Sequence, residues 1–188
     1  MKTLFVCISL YLTILVALFP QLAVADGKAN LDGFKEIKFD LSVKELTSLG
    51  YECTDGTCKL GDGVKKEYTL FSQEARVSVN IEENKVNSID VTIDVTPDKM
   101  KELFSKSLGN PKVHKYVSLM GYTVEQYYWL FANGTSISVR KNMDKNTTSN
   151  LFGNIVPINF SSATYNGKKK TEKLLEAVKK SAVDKSDF

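Results

Sequence analysis

Few residues in this chain have the types and spacing to do chemistry. Cys53 and Cys58 bracket Thr54-Asp55-Gly56-Thr57, and the only histidine, His114, sits in Lys112-Val113-His114-Lys115-Tyr116. Two thiols flanking an Asp-Gly turn read first as a disulfide in an oxidising compartment. A metal or redox pair is the alternative, and it lacks a second Cys pair or a second His to complete a ligand set. The loop such a disulfide closes is short, so it contributes about 2 kcal/mol, enough to pin a hairpin rather than a domain.

A nucleophile-base pair would have to use His114, which reads as an ordinary strand residue. Glu52, Glu67, Asp90 and Asp94 are the carboxylates available for paired acid-base work, but no spacing among them selects two. The chain has no Gly-rich phosphate loop and no cluster with metal-ligand spacing. These residues predict no catalytic centre, no metal and no cofactor, and hence a protein that is not an enzyme.

The N-terminus speaks to location. Lys2 is followed by an uncharged apolar stretch from Leu4 through Phe19, then Pro20 and Ala23-Val24-Ala25, the three parts of a cleavable leader. The stretch is shorter than the roughly 20 residues of a spanning helix, so residues 1–25 are read as a signal peptide and no stable membrane anchor remains after cleavage. Cys7 lies inside the apolar stretch, after the bulky Val6, which is not a lipoprotein pattern; it is discarded with the leader. The chain is therefore expected to be periplasmic or secreted. Its formal net charge is only +3, which gives no basic face for nucleic acid.

Residues 26–33 are polar and Gly-containing, a flexible lead-in, and 34–165 read as one α+β domain. Phe34 to Phe39 alternates as a strand. Ser42-Val43-Lys44-Glu45 is a capping box opening a short helix that ends at Gly50. Strands are expected at 51–53, 58–60 and 64–71. Ala75, Val77, Val79 and Ile81, then Ile89, Val91, Ile93 and Val95, repeat with period two and form an antiparallel pair across Glu83-Asn84-Lys85. Thr96-Pro97 caps a second helix with Met100, Leu103, Phe104 and Leu108 as its apolar stripe, stopped by Gly109-Asn110-Pro111. Strands follow at 112–118, 124–131 and 135–140, a polar loop at 141–150, and an edge strand at 155–160, where Pro157 excludes a central place.

The expected fold is thus an antiparallel sheet with two short helices in a tandem helix-strand-strand-strand repeat, with halves at about 34–95 and 96–142. Residues 166–188 form a Lys-rich tail, either a partly solvated helix or a disordered end.

Asn133-Gly134 between two alternating runs signals a two-residue hairpin. That turn pairs Phe131 with Ser136, Leu130 with Ile137, Trp129 with Ser138, Tyr128 with Val139 and Tyr127 with Arg140. Tyr128, Leu130, Ile137 and Val139 then face the core. The opposite side carries Tyr127, Trp129, Phe131, Ser136, Ser138 and Arg140, joined by Asp90 and Asp94 if the sheet is continuous. Large aromatics beside small polar residues and an Arg are the types found at binding hot spots, so Tyr127, Trp129, Phe131, Ser138, Arg140, Asp90 and Asp94 are the expected binding residues. The competing reading is that residues 151–160 or the last helix cover the aromatics as a second small core.

The doubled unit, carried by Ser42-Val43-Lys44-Glu45-Leu46 with Gly50 and by Thr96-Pro97-Asp98-Lys99-Met100 with Gly109, resembles the beta-lactamase inhibitory protein-like architecture, shared by small bacterial envelope proteins of the SmpA/OmlA type. The resemblance spans about residues 34–142 and takes in Tyr128 to Gly134. It implies binding of another protein through the open sheet face. The chain departs from the lipoprotein members in lacking a lipobox. The functional expectation is an exported, non-enzymatic protein-binding module, an inhibitor or immunity-type protein; a small periplasmic hydrolase or an envelope structural protein are the alternatives. Asn133-Gly134-Thr135, Asn146-Thr147-Thr148 and Asn159-Phe160-Ser161 also fit the N-glycosylation pattern of a eukaryotic secreted chain.

Overall fold

The computed structural model describes residues 30–143, 147–149, 155–157 and 161–183. The leader reading, Cys7, Asn146, Asn159 and the chain end beyond 183 lie outside the described residues.

The fold is α+β. An antiparallel sheet carries the strands β3 (Tyr51–Thr54), β4 (Thr57–Leu60), β6 (Gln73–Glu82), β7 (Lys85–Ile93), β8 (Lys112–Val117), β9 (Thr123–Leu130), β10 (Ser136–Asn142) and β13 (Ser161–Asn166). Their order is β3-β4-β6-β7-β13-β10-β9-β8, and β5 (Tyr68–Leu70) pairs with β6. A small hairpin, β1 (Gly33–Phe34) with β2 (Ile37–Lys38), precedes them; β11 (Thr147–Ser149) and β12 (Ile155–Pro157) form a separate ladder. Three helices are described: α1 (Val43–Ser48), α2 (Pro97–Leu108) and α3 (Lys168–Val183).

The helix starts follow from the sequence. Ser42 accepts from the Glu45 amide while the Glu45 carboxylate accepts from the Ser42 amide at 2.8 Å, a complete capping box. Thr96 caps α2 by accepting from the Lys99 amide, with Pro97 in the first turn.

The doubled plan is present with four strands of the main sheet in each copy; those of the first fall on expected strands, and the second has one strand more than expected. Each unit is a helix followed by an antiparallel meander: α1 leads into β3-β4-β6-β7, and α2 into β8-β9-β10-β13. The two meanders meet where β7 pairs with β13. The strand missing from the sequence reading is therefore a central one. Ser161-Ser162-Ala163-Thr164-Tyr165-Asn166 puts only Ala163 and Tyr165 on the apolar side, too short an alternation to stand out among small polar residues. The expected edge strand at 155–160 is β12, outside the main sheet.

One side of the sheet is apolar and takes α1, α2 and the β1–β2 hairpin. Cross-strand registers align Trp129, Ile137, Tyr165, Ile89 and Val79 in one row, and Tyr127, Val139, Ala163, Val91 and Val77 in the next. Met100 and Phe104 of α2 are buried on these rows, each contributing about 1.5–3 kcal/mol by leaving water. Phe104 packs against Trp129 in a tilted contact and edge-on to Tyr165, at centroid distances of 5.4 and 6.4 Å. The lead-in is part of this layer from Leu31 on: its carbonyl accepts from Asn133 Nδ2 and Thr135 Oγ1, both at 3.0 Å, and the flexible reading of 26–33 does not hold for Leu31 to Gly33.

The other side is lined by Ser, Thr, Asn and Asp. α3 lies across it from β13 to β8, anchored at its start by buried Thr171, whose hydroxyl meets Ser136 Oγ at 3.0 Å. Lys169 and Lys173 form ion pairs with Glu82 and Glu83 at the β6–β7 turn. The Lys-rich segment is a helix docked on the sheet.

Candidate functional site

The β9–β10 hairpin decides where the aromatics point, and it is one residue out of the expected register. Leu130 pairs with Ser136, Trp129 with Ile137, Tyr128 with Ser138 and Tyr127 with Val139. Phe131 donates to the Thr135 carbonyl at 3.0 Å, so the loop is Ala132-Asn133-Gly134, three residues rather than two. Only Gly134 has positive φ, at 78°, which is the three-residue loop ending in a left-handed Gly. Asn133 is held by its side chain, which bonds Leu31 and Asp32 of the N-terminal segment and accepts from Thr135 Oγ1. A one-residue slip exchanges the two faces.

Tyr127, Trp129 and Phe131 therefore belong to the core side. Trp129 is 4% exposed, and its indole donates to the Gly109 carbonyl at 2.8 Å. Tyr127 is buried and donates to Glu125, with the Lys101 ammonium 4.4 Å from its ring centre. Burial, then the Glu125 carboxylate, push the Tyr127 phenol up from its ordinary range. Phe131 packs at the margin of the core. Tyr128, expected inside the core, is on the α3 side of the sheet, where burial raises its phenol.

Of the remaining expected residues, Ser138, Arg140 and Asp90 do share the second face, whereas Asp94 is exposed in the bend before α2. Ser138 is buried and accepts from Asn166 Nδ2 at 3.2 Å. Asp90 accepts from Asn80 Nδ2 at 2.8 Å and Thr164 Oγ1 at 2.6 Å, and Thr92 bonds Ser162 beside it. This half of the face is a polar network cross-linked by side-chain hydrogen bonds.

Two other surfaces stand out. The first is an apolar corner. Among the described residues, the large hydrophobic side chains that are exposed are Val64, Val113, Val117, Leu119, Met120 and Met143. Val117, Leu119, Met120 and Met143 gather at the free end of β8, β9 and β10, whereas Val113 lies near the start of β8 opposite Tyr127: Val117 pairs with Thr123, and the Met143 amide donates to the Thr123 carbonyl at 2.8 Å. Leu119 and Met120 form the tip of the β8–β9 turn, closed by Gly121 at φ 80° and by the Ser118 amide on the Tyr122 carbonyl. Leu119 is fully exposed and Met120 is 82% exposed. β8 is also the outermost strand, with one side of its backbone unpaired by the sheet. The sequence signal for this corner was two adjacent large apolar residues inside a turn, where burial has no means of reaching them.

The second surface is a groove of about 350 Å³ between α3 and β8–β10, with Tyr116, Gln126 and Arg140 in its floor and Lys170, Leu174 and Ala177 in its wall. At one end His114 Nε2 lies 2.8 Å from Ser181 Oγ, and Tyr116 stacks on the imidazole at 5.1 Å. His114 and Ser181 are thus within reach of one another, a pairing invisible in sequence because 67 positions separate them. Ser181 Oγ also lies 2.9 Å from the Val178 carbonyl, to which it donates. A hydroxyl has one proton to give, so Ser181 donates either to that carbonyl or to His114, and the imidazole tautomer sets which.

Cys53 and Cys58 face each other across the β3–β4 ladder with their sulfurs at disulfide distance, 2.02 Å. Among the described residues no helix is long and apolar enough to cross a membrane, and no group of three His, Cys, Asp or Glu could hold a metal. Comparison with protein-family models, with curated proteins and with solved structures finds no match for this chain.

Proposed function

We propose that this is an exported, non-enzymatic module of the bacterial periplasm that binds another protein, acting as an inhibitor or immunity-type protein. The apolar corner carries the reading. Exposed apolar residues scattered singly need no explanation, but a contiguous patch beside an open strand edge is a feature of interaction surfaces. Leu119 and Met120 project from a tight turn, a shape that fits a cleft in a partner, and Lys115 and Lys141, each two positions from Val117 and Met143, put charge beside the patch, as a polar rim flanks an apolar centre. The leader pattern and the cysteine pair at disulfide distance support export. The doubled helix-meander supports the resemblance to the beta-lactamase inhibitory protein-like group. The contact surface proposed here differs from the open sheet face that the resemblance implies, because α3 and an internal polar network occupy that face.

The test is a pull-down from envelope extract of the native host using the chain and its Leu119→Asp/Met120→Asp variant. The expected result is partner recovery by the first and its loss by the second, with unchanged circular dichroism. Equal recovery would remove the corner from consideration.

The hydrolase alternative has one observation in its favour, the His114–Ser181 pair. The placing of Ser181 within a helical turn, with the Val178 carbonyl 2.9 Å from its hydroxyl, speaks for a structural tie between α3 and β8.

A further inference from the structure

We propose that the groove beneath α3 binds a small organic carboxylate, held by Gln126 and Arg140 from the sheet and Lys170 from the helix. This role is independent of the protein-binding corner.

The strand registers place His114, Gln126 and Arg140 directly opposite one another on β8, β9 and β10. Cross-strand neighbours share a face, and adjacent strands stand about 4.8 Å apart, so these three side chains form a row across the groove floor. Gln126 is the informative member. It is 4% exposed as a residue and lines the groove, so the little surface it keeps is in the groove floor. A side-chain amide carries both a donor and an acceptor, and in the floor beside Arg140 it can offer either to a molecule that enters the groove.

Charge selects the ligand. Neighbouring Lys169 and Lys173 are neutralised by Glu82 and Glu83, whereas Arg140 and Lys170 have no ion pair among the described residues. A planar guanidinium and an amide side by side match the two oxygens of a carboxylate, and an ammonium supplies a point charge from above. Of the rest of the lining, Asn166, Lys173 and Ser181 are bonded within the fold, and the Tyr116 ring, Leu174 and Ala177 supply apolar surface that favours an organic body over a bare inorganic anion. The volume of about 350 Å³ lies near the lower end of the roughly 300–1,000 Å³ spanned by small-molecule sites. His114 is tied to Ser181 and closes one end of the groove.

The experiment titrates the purified full chain with benzoate, acetate and inorganic phosphate, following the Gln126 side-chain amide by NMR and the heat by calorimetry. Benzoate is expected to shift that resonance saturably and to bind at least about tenfold more tightly than acetate or phosphate, about one decade in Kd. Arg140→Met should weaken benzoate by a similar factor. Lys106→Met, the same charge change on α2, should leave it unchanged, and so should Leu119→Asp/Met120→Asp, which separates this site from the corner. If Arg140→Met does not fold, Lys170→Met on the helix surface carries the same comparison. An unmoved Gln126 resonance, phosphate binding as tightly as benzoate, or full affinity in the folded cation variant would overturn the proposal.

Discussion

At one end of the sheet β3 is four residues long and faces its neighbour through Cys53 and Cys58 at disulfide distance; at the other, β8 is six residues long and leaves Val113 and Val117 exposed. Both strands open a unit of the same plan, a helix and then a meander, and both are edge strands. Short, tethered edges are how proteins prevent unwanted pairing. The first unit follows that rule. The second has Lys112 and Lys115 on its edge but sets Val117, Leu119 and Met120 beside them in water. One plan executed twice therefore separates what the fold requires from what it does not. A short edge tied to its neighbour is compatible with the architecture, so the fold does not itself call for the exposed apolar residues of the other.

The largest effect expected from breaking this comparison is inside the second unit. Trp129→Ala removes an indole packed on Phe104 and the donor to the Gly109 carbonyl, and should cost about 3–5 kcal/mol in urea unfolding. Met120→Ala, on the same hairpin stack but at the exposed tip, should change stability by less than about 0.5 kcal/mol. Equal small effects would return Trp129 to the surface and restore the two-residue turn. Next in size is the first unit's tether. Cys53→Ala/Cys58→Ala should lower stability by about 2 kcal/mol or less, since the loop is short. Hydrogen exchange should quicken in β3 and β4 while β8 and β9 keep their protection; an equal loss at both ends would mean that the units are not separable.

Much of the first unit was legible in the sequence because its signals are local. The capping box, the Asp55-Gly56 turn and the alternation of β6 and β7 each involve residues within a few positions, and each is found where expected. The binding face failed on a contact that is not local. Asn133 and Gly134 have the right types for a two-residue turn, but Asn133 spends its amide on Leu31, 102 positions away, and the loop takes a third residue. Glu83 and Asn84, with a weaker composition, do form the two-residue turn with positive φ at both positions. The alternation of Tyr127, Trp129 and Phe131 against Tyr128 and Leu130 was legible, but not its direction, since both sets are apolar enough for a core. The groove was hidden for a related reason: His114, Gln126 and Arg140 meet only through strand order, and Lys170 only through the docking of α3.

The two units can also be compared through carboxylates, with the smallest expected effect. In the first, Glu36 is bonded by Tyr68 at 2.7 Å and paired with Lys66, and Tyr68 in turn accepts from buried Tyr51 at 2.8 Å. In the second, Glu125 is bonded by Tyr127 and paired with Lys115 at 2.7 Å. Burial pushes the Glu36 carboxyl up, but bonds from Lys66 and Tyr68 outweigh it and hold the group below 4.5. Glu125 is held below 4.5 by Lys115 first and Tyr127 second. A carboxyl depressed in the folded state adds stability that is fully present above its unfolded value of 4.5 and is lost as pH falls through the folded value. Both units should therefore weaken only below pH 4.5. Salt distinguishes them through the cation: Lys115 is 59% exposed against 32% for Lys66, although Glu125 itself is 13% exposed against 35% for Glu36, and exposed charges are screened more strongly. Adding salt should move the NMR-detected midpoint of Glu125 toward 4.5 further than that of Glu36, and Tyr68→Phe should raise Glu36 alone. If salt moves Glu36 more, the first unit's cluster is the wetter of the two, and the contrast between a closed and an open end does not extend to its charges.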